Sequence, residues 1–316
     1  MKIRATNKQF LYQARAYDLD IRSDIALPEF LPSNGGMDVA VVLEKESVEV
    51  DCIRPKWDLQ PSAAECCFPG VGRFRIIGGC EIRITPAPDV DPGLIRLYVE
   101  GMMMAILLHQ RGYFVLHASV VEVDGRGVAF VGPVGAGKSS VAMALHTMGH
   151  SVVTDDNAAI RVTRDSAAVL PAFPRIKVYP AIAASLGIDG TALDDLHISQ
   201  VKKTKSVENG FAADPVPLDR IYALSREATS IVKLSRPEAV VELVKHSIPA
   251  RWALAGTPEQ LRDCARLSGM IPVFRVRTFE KLESLADIAR NIEDHVRPRG
   301  VRAAGAAASA VLADAG

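Results

Sequence analysis

Hydrophobic and polar positions change rhythm twice along this chain. Over the first ninety residues the apolar runs are short and alternate with polar ones, the period-two signature of strands with one buried face. Residues 38–43, 72–77 and 81–86 read as strands, the last closed by Pro86. Gly35-Gly36, Pro61 and Gly78-Gly79 punctuate them as turns. The period then lengthens. From Gly93 to about His109, Leu94, Leu97, Tyr98, Met102, Ala105, Ile106 and Leu108 recur at helical spacing, which predicts a helix bridging two halves. Its three methionines read as core filler.

Beyond the helix, strand and helix patterns alternate. Residues 114–123 read as one strand, Asp124-Gly125 as a hairpin turn, and 127–131 as a second strand. A helix over 140–148 ends at Gly149, and a short strand over 151–154 ends in Asp155-Asp156. Further strands are predicted at 221–224 and 273–277, and helices at 239–245, 258–267 and 282–295. Residues 299–316 are Ala- and Gly-rich with no core pattern, which predicts a disordered tail. The fold class is therefore α/β. A phosphate-loop domain with a mixed sheet over 111–298 is preceded by a smaller β-rich domain over 1–92, a substrate-docking candidate, and by the bridging helix over 93–110.

Composition narrows the function classes. The 37 Lys and Arg residues balance 37 Asp and Glu, so no basic footprint argues for nucleic acid as partner. Cys52, Cys66, Cys67, Cys80 and Cys264 are odd in number and show no C-x-x-C spacing. They read as reduced thiols of a cytoplasmic protein, with Cys66-Cys67 as two adjacent buried thiols rather than a redox pair. The start of the chain has no secretory pattern, and the most apolar run, 101–108, is too short to span a bilayer, so no membrane partner is expected.

The chemistry concentrates in one stretch. Gly132-Pro133-Val134-Gly135-Ala136-Gly137-Lys138-Ser139 fits G-x-x-x-x-G-K-[ST], followed by Ser140 and placed between a strand and a helix. Glycines allow a tight loop whose backbone N–H groups, with the helix N-terminus, cradle phosphate oxygens. Lys138 supplies a point charge for the β- and γ-phosphates of ATP, and Ser139 a hydroxyl for Mg²⁺. A short strand ending in Asp155-Asp156 just after the loop helix is where a metal-organising or catalytic carboxylate would sit; read alone, such a pair merely starts a turn. Lys177, within the compact segment 174–180, is either a phosphate or substrate contact or a surface lysine. The run 201–205, with Lys202, Lys203 and Lys205, reads as a grip for an acidic substrate or as a solvated face.

Residues 117–156 resemble the kinase domain of bacterial HPr kinase/phosphorylase. The resemblance rests on His117 fifteen positions before Gly132, on the loop itself, and on Asp155 and Asp156 seventeen and eighteen positions past Lys138. It implies ATP- and Mg²⁺-dependent phosphoryl transfer to a serine hydroxyl of a peptide or small protein. By resemblance, Asp155 would be the general base, Asp156 would organise Mg²⁺, and His117 would lie near the phosphates. Residues 12–31 look like the start of stand-alone members found with peptide-modification systems, some similar to kinases of lasso-peptide precursors. The family also implies a homo-oligomer. Its downstream Glu-Arg-Gly segment is not evident here, where 174–180 stands in its place, and neither is its C-terminal signature. Two further readings share the loop: a kinase for a small-molecule hydroxyl, and a nucleotide-sensing regulator without transfer.

Overall fold

A computed structural model describes residues 9–50, 53–197, 200–226, 228, 230–248, 257–278 and 284–297. The predicted tail over 299–316 lies outside the described residues.

The first half is one mixed sheet built from β1 (Tyr12–Ala16), β2 (Leu19–Ser23), β3 (Val39–Leu43), β4 (Lys56–Leu59), β5 (Ala63–Phe68), β6 (Gly72–Ile77) and β7 (Glu81–Pro86). Its order is β1-β2-β3-β7-β6-β5-β4, with β2, β3 and β7 parallel and the other pairs antiparallel. β3, β6 and β7 match the three predicted strands. The other four were not predicted, because charged and turn-forming residues interrupt their alternation. The alternation of β5 separates the neighbouring thiols: Cys66 is buried in the core and Cys67 faces the other way, half-buried.

The bridging helix packs on the inner face of this sheet. Asp91 caps it, accepting a hydrogen bond from the Gly93 N–H at 2.8 Å, and Pro92 opens the first turn with its ready-made φ. It runs as α1 (Pro92–Tyr98), a π-helical turn over Val99–Met103, and α2 (Met104–Gln110). The π turn was not predicted, since side-chain periodicity does not report one extra residue per turn. Val99, Met103, Met104, Leu107 and Leu108 are fully buried. Each such side chain contributes roughly 1.5–3 kcal/mol on leaving water. The core they enter also takes Val115, Ala159, Leu170, Ala172 and Phe173 from the second half, so the two halves share one apolar core through this helix.

The second half contains β8 (Phe114–Leu116), β9 (Ala118–Val123), β10 (Arg126–Val131), α3 (Lys138–Thr147), β11 (Ser151–Thr154), β12 (Ala158–Val162), β13 (Ala167–Val169) and β14 (Arg175–Val178). α4 (Pro180–Ser185), β15 (Asp194–Asp195), β16 (Lys203–Ser206), β17 (Val216–Ser225), β18 (Val232–Lys233), α5 (Arg236–His246), α6 (Pro258–Met270), β19 (Val273–Arg277) and α7 (Leu285–Val296) complete it. The main sheet has the order β11-β9-β10-β17-β13-β12-β8, with β19 beside β17 and β18 beside β19; β14, β16 and β15 form a small separate sheet. The predicted strand over 114–123 is broken at His117, whose N–H bonds the His246 carbonyl at 2.8 Å. β8 then pairs with β12 while β9 pairs with β10 and β11.

That topology places the site. β9 is antiparallel to both β10 and β11, so β10 and β11 point the same way and their carboxyl ends lie together. The glycine loop leaves one end and the paired aspartates leave the other. Among the described residues, no helix is long and apolar enough to cross a membrane.

Candidate active site

The loop after β10 has the backbone its sequence implies. Gly132, Gly135 and Gly137 take φ values of 155°, 83° and 96°, a region that L side chains rarely enter. A Cβ on Gly132 would stand 3.0 Å from the Ala136 Cβ, so both conformation and space require glycine there. Gly132 and Ala136 are buried, Pro133, Val134 and Gly135 form the exposed rim, and Ser140 is buried behind them. α3 starts at Lys138, directly after Gly137. Its first turn therefore presents backbone N–H groups to the loop, with the positive end of the helix dipole behind them. The Lys138 ammonium bends back to the carbonyls of Gly132, at 2.9 Å, and Pro133, at 3.2 Å.

The loop is tied directly to the aspartates. Ser139 Oγ donates to Asp155 Oδ1 at 2.9 Å, and Ser119 Oγ from β9 donates to the same oxygen at 2.6 Å. The Lys177 backbone N–H on β14 donates to Asp155 Oδ2 at 2.9 Å. Asp155 is buried. Burial first, and then the charge of Asp156, push its carboxyl above the ordinary range, against the hydrogen bonds from Ser119 and the Lys177 N–H. Asp155 is therefore the carboxylate on the Ser139 hydroxyl. The Asp156 carboxylate, expected to organise Mg²⁺, does not share this hydrogen bond with Ser139.

Asp156 stands in a different place. Its φ of 72° puts a non-glycine residue in the left-handed region, a conformation that tends to be retained at functional turns. The turn is locked by Thr154 Oγ1 donating to the Asn157 carbonyl at 2.7 Å and by Asn157 N–H donating to the Asp155 carbonyl at 3.1 Å. The Asp156 carboxylate pairs with the Lys177 ammonium. Burial would raise its pKa, but Lys177, with His117 and Lys202 behind it, holds it well below the usual carboxylate range. Burial would likewise lower Lys177, and Asp156 holds it above its ordinary value. His117 Nδ1 lies 3.0 Å from the Asp156 carbonyl, which fixes the imidazole on the aspartate turn. Of the two readings of Lys177, the structure shows a site residue. Lys203 in the 201–205 run pairs with Asp195 at 2.7 Å, and Lys202 lies over the Tyr179 ring.

Several polar residues of the site escaped the sequence reading. Glu100, in the π-helical turn, is only 4 % exposed and bonds Arg175 of β14. Arg175 also bonds Glu29 at 3.0 Å, and Arg96 reaches Glu29 at 3.2 Å and Glu100 at 3.8 Å. Burial, and then a hydrogen bond and charge from Glu29, push Glu100 up to about 8 against the pull of Arg175. Asn157 Nδ2 donates to the Gly101 carbonyl at 2.9 Å, linking the catalytic turn to the bridging helix. From the first half, the buried Tyr17 side chain lies at the Thr154–Asn157 turn, where burial, and then the charge of Asp156, push its hydroxyl above the ordinary range. Only Glu100 left a trace in the sequence, as a lone acid inside an apolar helical run. The others become neighbours only through the fold.

The residues present fit Mg²⁺. It is commonly held by one or two carboxylates and a hydroxyl, with phosphates and water completing its shell, and Ser139 and Asp155 supply that donor pair. Among the described residues there is no cluster of three or more His, Cys, Asp or Glu side chains of the kind a tightly caged metal uses.

No family model matches this chain, and no curated protein matches it. Among solved structures, the chain is similar to the HPr(Ser) kinase/phosphatase from Coxiella burnetii. The match covers 57 % of this chain and 95 % of that one, at 14 % identity and a TM-score of 0.32. At that TM-score the likeness bears no weight in the functional reading, which rests on the geometry of the site.

Proposed function

We propose that this chain is an ATP-dependent phosphotransferase that moves the γ-phosphoryl group to a hydroxyl, specifically a serine hydroxyl of a peptide or small protein such as a lasso-peptide precursor. The observation that carries the proposal is the Ser139–Asp155 hydrogen bond, which joins a phosphate-loop hydroxyl to paired aspartates at the carboxyl ends of β10 and β11. A phosphate-loop Ser partnered by a strand-end Asp is the pairing that holds Mg²⁺ on the β- and γ-phosphates. A turn that existed only to reverse the chain would not require a buried carboxylate with three donors.

The residues divide the work as follows. The loop N–H groups and Lys138 bind the phosphates; Lys138 exchanges its contacts with the Gly132 and Pro133 carbonyls for phosphate oxygens. Ser139 and Asp155 would hold Mg²⁺, which would supply charge neutralisation to the phosphates when bound. Asp156, oriented by His117 and Lys177, positions the acceptor hydroxyl and receives its proton as the new O–P bond forms and the bond to the ADP oxygen breaks. A depressed carboxylate suits this task, because a loose phosphoryl-transfer transition state calls for orientation more than for a strong base.

The test is transfer of label from γ-labelled ATP, with Mg²⁺, to the peptide and small-protein fraction of the native host. Lys138→Ala and Asp155→Asn run in parallel. Label on a peptide with the unaltered protein alone supports the proposal. Label on small molecules only moves the reading to a metabolite kinase. ATP binding with no transfer to any acceptor rejects it in favour of a nucleotide sensor.

A further inference from the structure

A small pocket opens beside the aspartates, lined by Glu100, Gly101, Asp155, Asp156, Asn157, Phe173, Arg175 and Lys177. No residue of the glycine loop lines it. Asp155 stands between the two regions, with one carboxylate oxygen on Ser139 of the loop helix and the other on the Lys177 N–H of the pocket wall. In-line transfer requires the acceptor oxygen to approach the γ-phosphorus from the side opposite the leaving oxygen. The pocket is lined by Asp156, the residue assigned above to the acceptor hydroxyl.

Its far wall is the bridging helix, and two features there are hard to explain by folding alone. Gly101 sits inside a helix, where glycine is unfavourable relative to alanine. Its φ is not in the positive range, and a Cβ built there meets no heavy atom within 4 Å, so neither strain nor crowding requires glycine. What its missing side chain leaves is open space on a residue that lines the pocket. Beside it, the buried Arg175 Nε has no hydrogen-bond partner, an arrangement that is uncommon unless a site demands it.

We infer that the pocket between the π-helical turn and β14 is the acceptor subsite, that Gly101 sets its width, and that it takes a hydroxyl on a slender, uncharged arm. The inference rests on the phosphotransferase reading above. The charge balance supports the acceptor class. Lys177 is matched by Asp156, and Arg175 by Glu29 and Glu100. No cation in the pocket wall lacks a carboxylate, so a phosphorylated or carboxylate-bearing metabolite would have to break an internal pair to enter. An uncharged –CH₂OH arm flanked by amide groups does not. The widened helical turn displays the Gly101 carbonyl toward Asn157, which holds this wall in register with Asp156.

The experiment compares the full-length protein with Gly101→Leu and Gly101→Ala. The probes are short serine peptides with blocked termini, free serine and a hexose phosphate. Each is assayed for label transfer from ATP and for binding by saturation-transfer NMR, and ATP binding and thermal melting are measured on all three proteins. Gly101→Ala should melt a few degrees higher, because it restores helix propensity. Gly101→Leu should keep ATP binding while transfer to the blocked peptides, and their NMR signal, falls roughly tenfold or more as the side chain fills the subsite. Gly101→Ala should give a smaller loss in the same direction and serves alone if the leucine variant does not fold. Transfer to blocked peptides that is indifferent to both substitutions overturns the subsite and leaves the kinase reading standing. Transfer to free serine or the hexose phosphate in preference to the blocked peptides overturns the acceptor class. Absence of all transfer, with peptide binding that depends on residue 101, rejects the kinase reading and keeps the subsite. Absence of both overturns the subsite.

Discussion

Glu100→Gln isolates the least expected group in the protein. The side chain is 4 % exposed and bonds Arg175; burial, and then Glu29, push the carboxyl from its ordinary value of 4.5 up to about 8 against the pull of Arg175. A raised carboxyl keeps its proton in the folded state over a pH range where the unfolded chain has lost it. Stability from this source is therefore fully present below pH 4.5 and is lost as pH rises through about 8. At about 1.36 kcal/mol per pH unit, the linkage amounts to roughly 3 kcal/mol between pH 5.5 and 8, as a ceiling, because Glu100 packs among other charged side chains that can rearrange. Glutamine keeps the shape and still accepts from Arg175, but it cannot titrate. The assay is urea unfolding of both proteins at half-unit steps from pH 5 to 9. The profile of the parent should fall toward alkaline pH relative to that of Glu100→Gln by an amount of that order. Taking the difference cancels groups common to both, such as His109, which burial pushes below its ordinary value. Parallel profiles would refute the raised, buried Glu100 carboxyl.

The two aspartates should separate by function. Asp155→Asn should weaken Mg²⁺-dependent ATP binding along with transfer, whereas Asp156→Asn should spare ATP binding and lower kcat by on the order of 10² or more; isothermal titration and single-turnover transfer distinguish them. Reversed behaviour would restore the roles implied by the family resemblance. Lys138→Ala should lose ATP affinity, read by isothermal titration, because the ammonium that would exchange its loop carbonyls for phosphate oxygens is gone. Leu107→Ala, at a fully buried position in the bridging helix, should cost about 2–5 kcal/mol in urea unfolding.

Much of the fold was legible where one residue pattern serves one element. The glycine loop, β10, α3 and β11 follow from local sequence because their glycines, apolar runs and terminal aspartates each do one thing. Legibility ends where pairing is long-range. Ser119 belongs to the site only because β9 lies between β10 and β11. Arg175 reaches Glu29 and Glu100 across 146 and 75 positions of chain, and nothing in the local spacing of any of the three announces the cluster. The break at His117 was hidden for a related reason. Residues 114–123 are apolar enough to form one strand, and the split arises from the carbonyl of His246 capturing the His117 N–H.

The bridging helix shows why the β-rich half cannot be treated as a detachable docking module. Val99, Met103 and Met104 bury against its sheet, Tyr17 between β1 and β2 packs at the Thr154–Asn157 turn, and Asn157 bonds the Gly101 carbonyl. Removing the first half would strip apolar cover from one side of the helix and the Tyr17 side chain from the aspartate turn at once. Loss of transfer on such a truncation would therefore report a damaged turn as readily as a lost docking surface. Tyr17→Phe separates the two: it removes one buried hydroxyl beside the turn and keeps the sheet and its surface. If the turn is the link, Tyr17→Phe should lower kcat with KM for the acceptor peptide unchanged. A raised KM with kcat unchanged would instead place acceptor docking on the first half and refute the coupling through the turn.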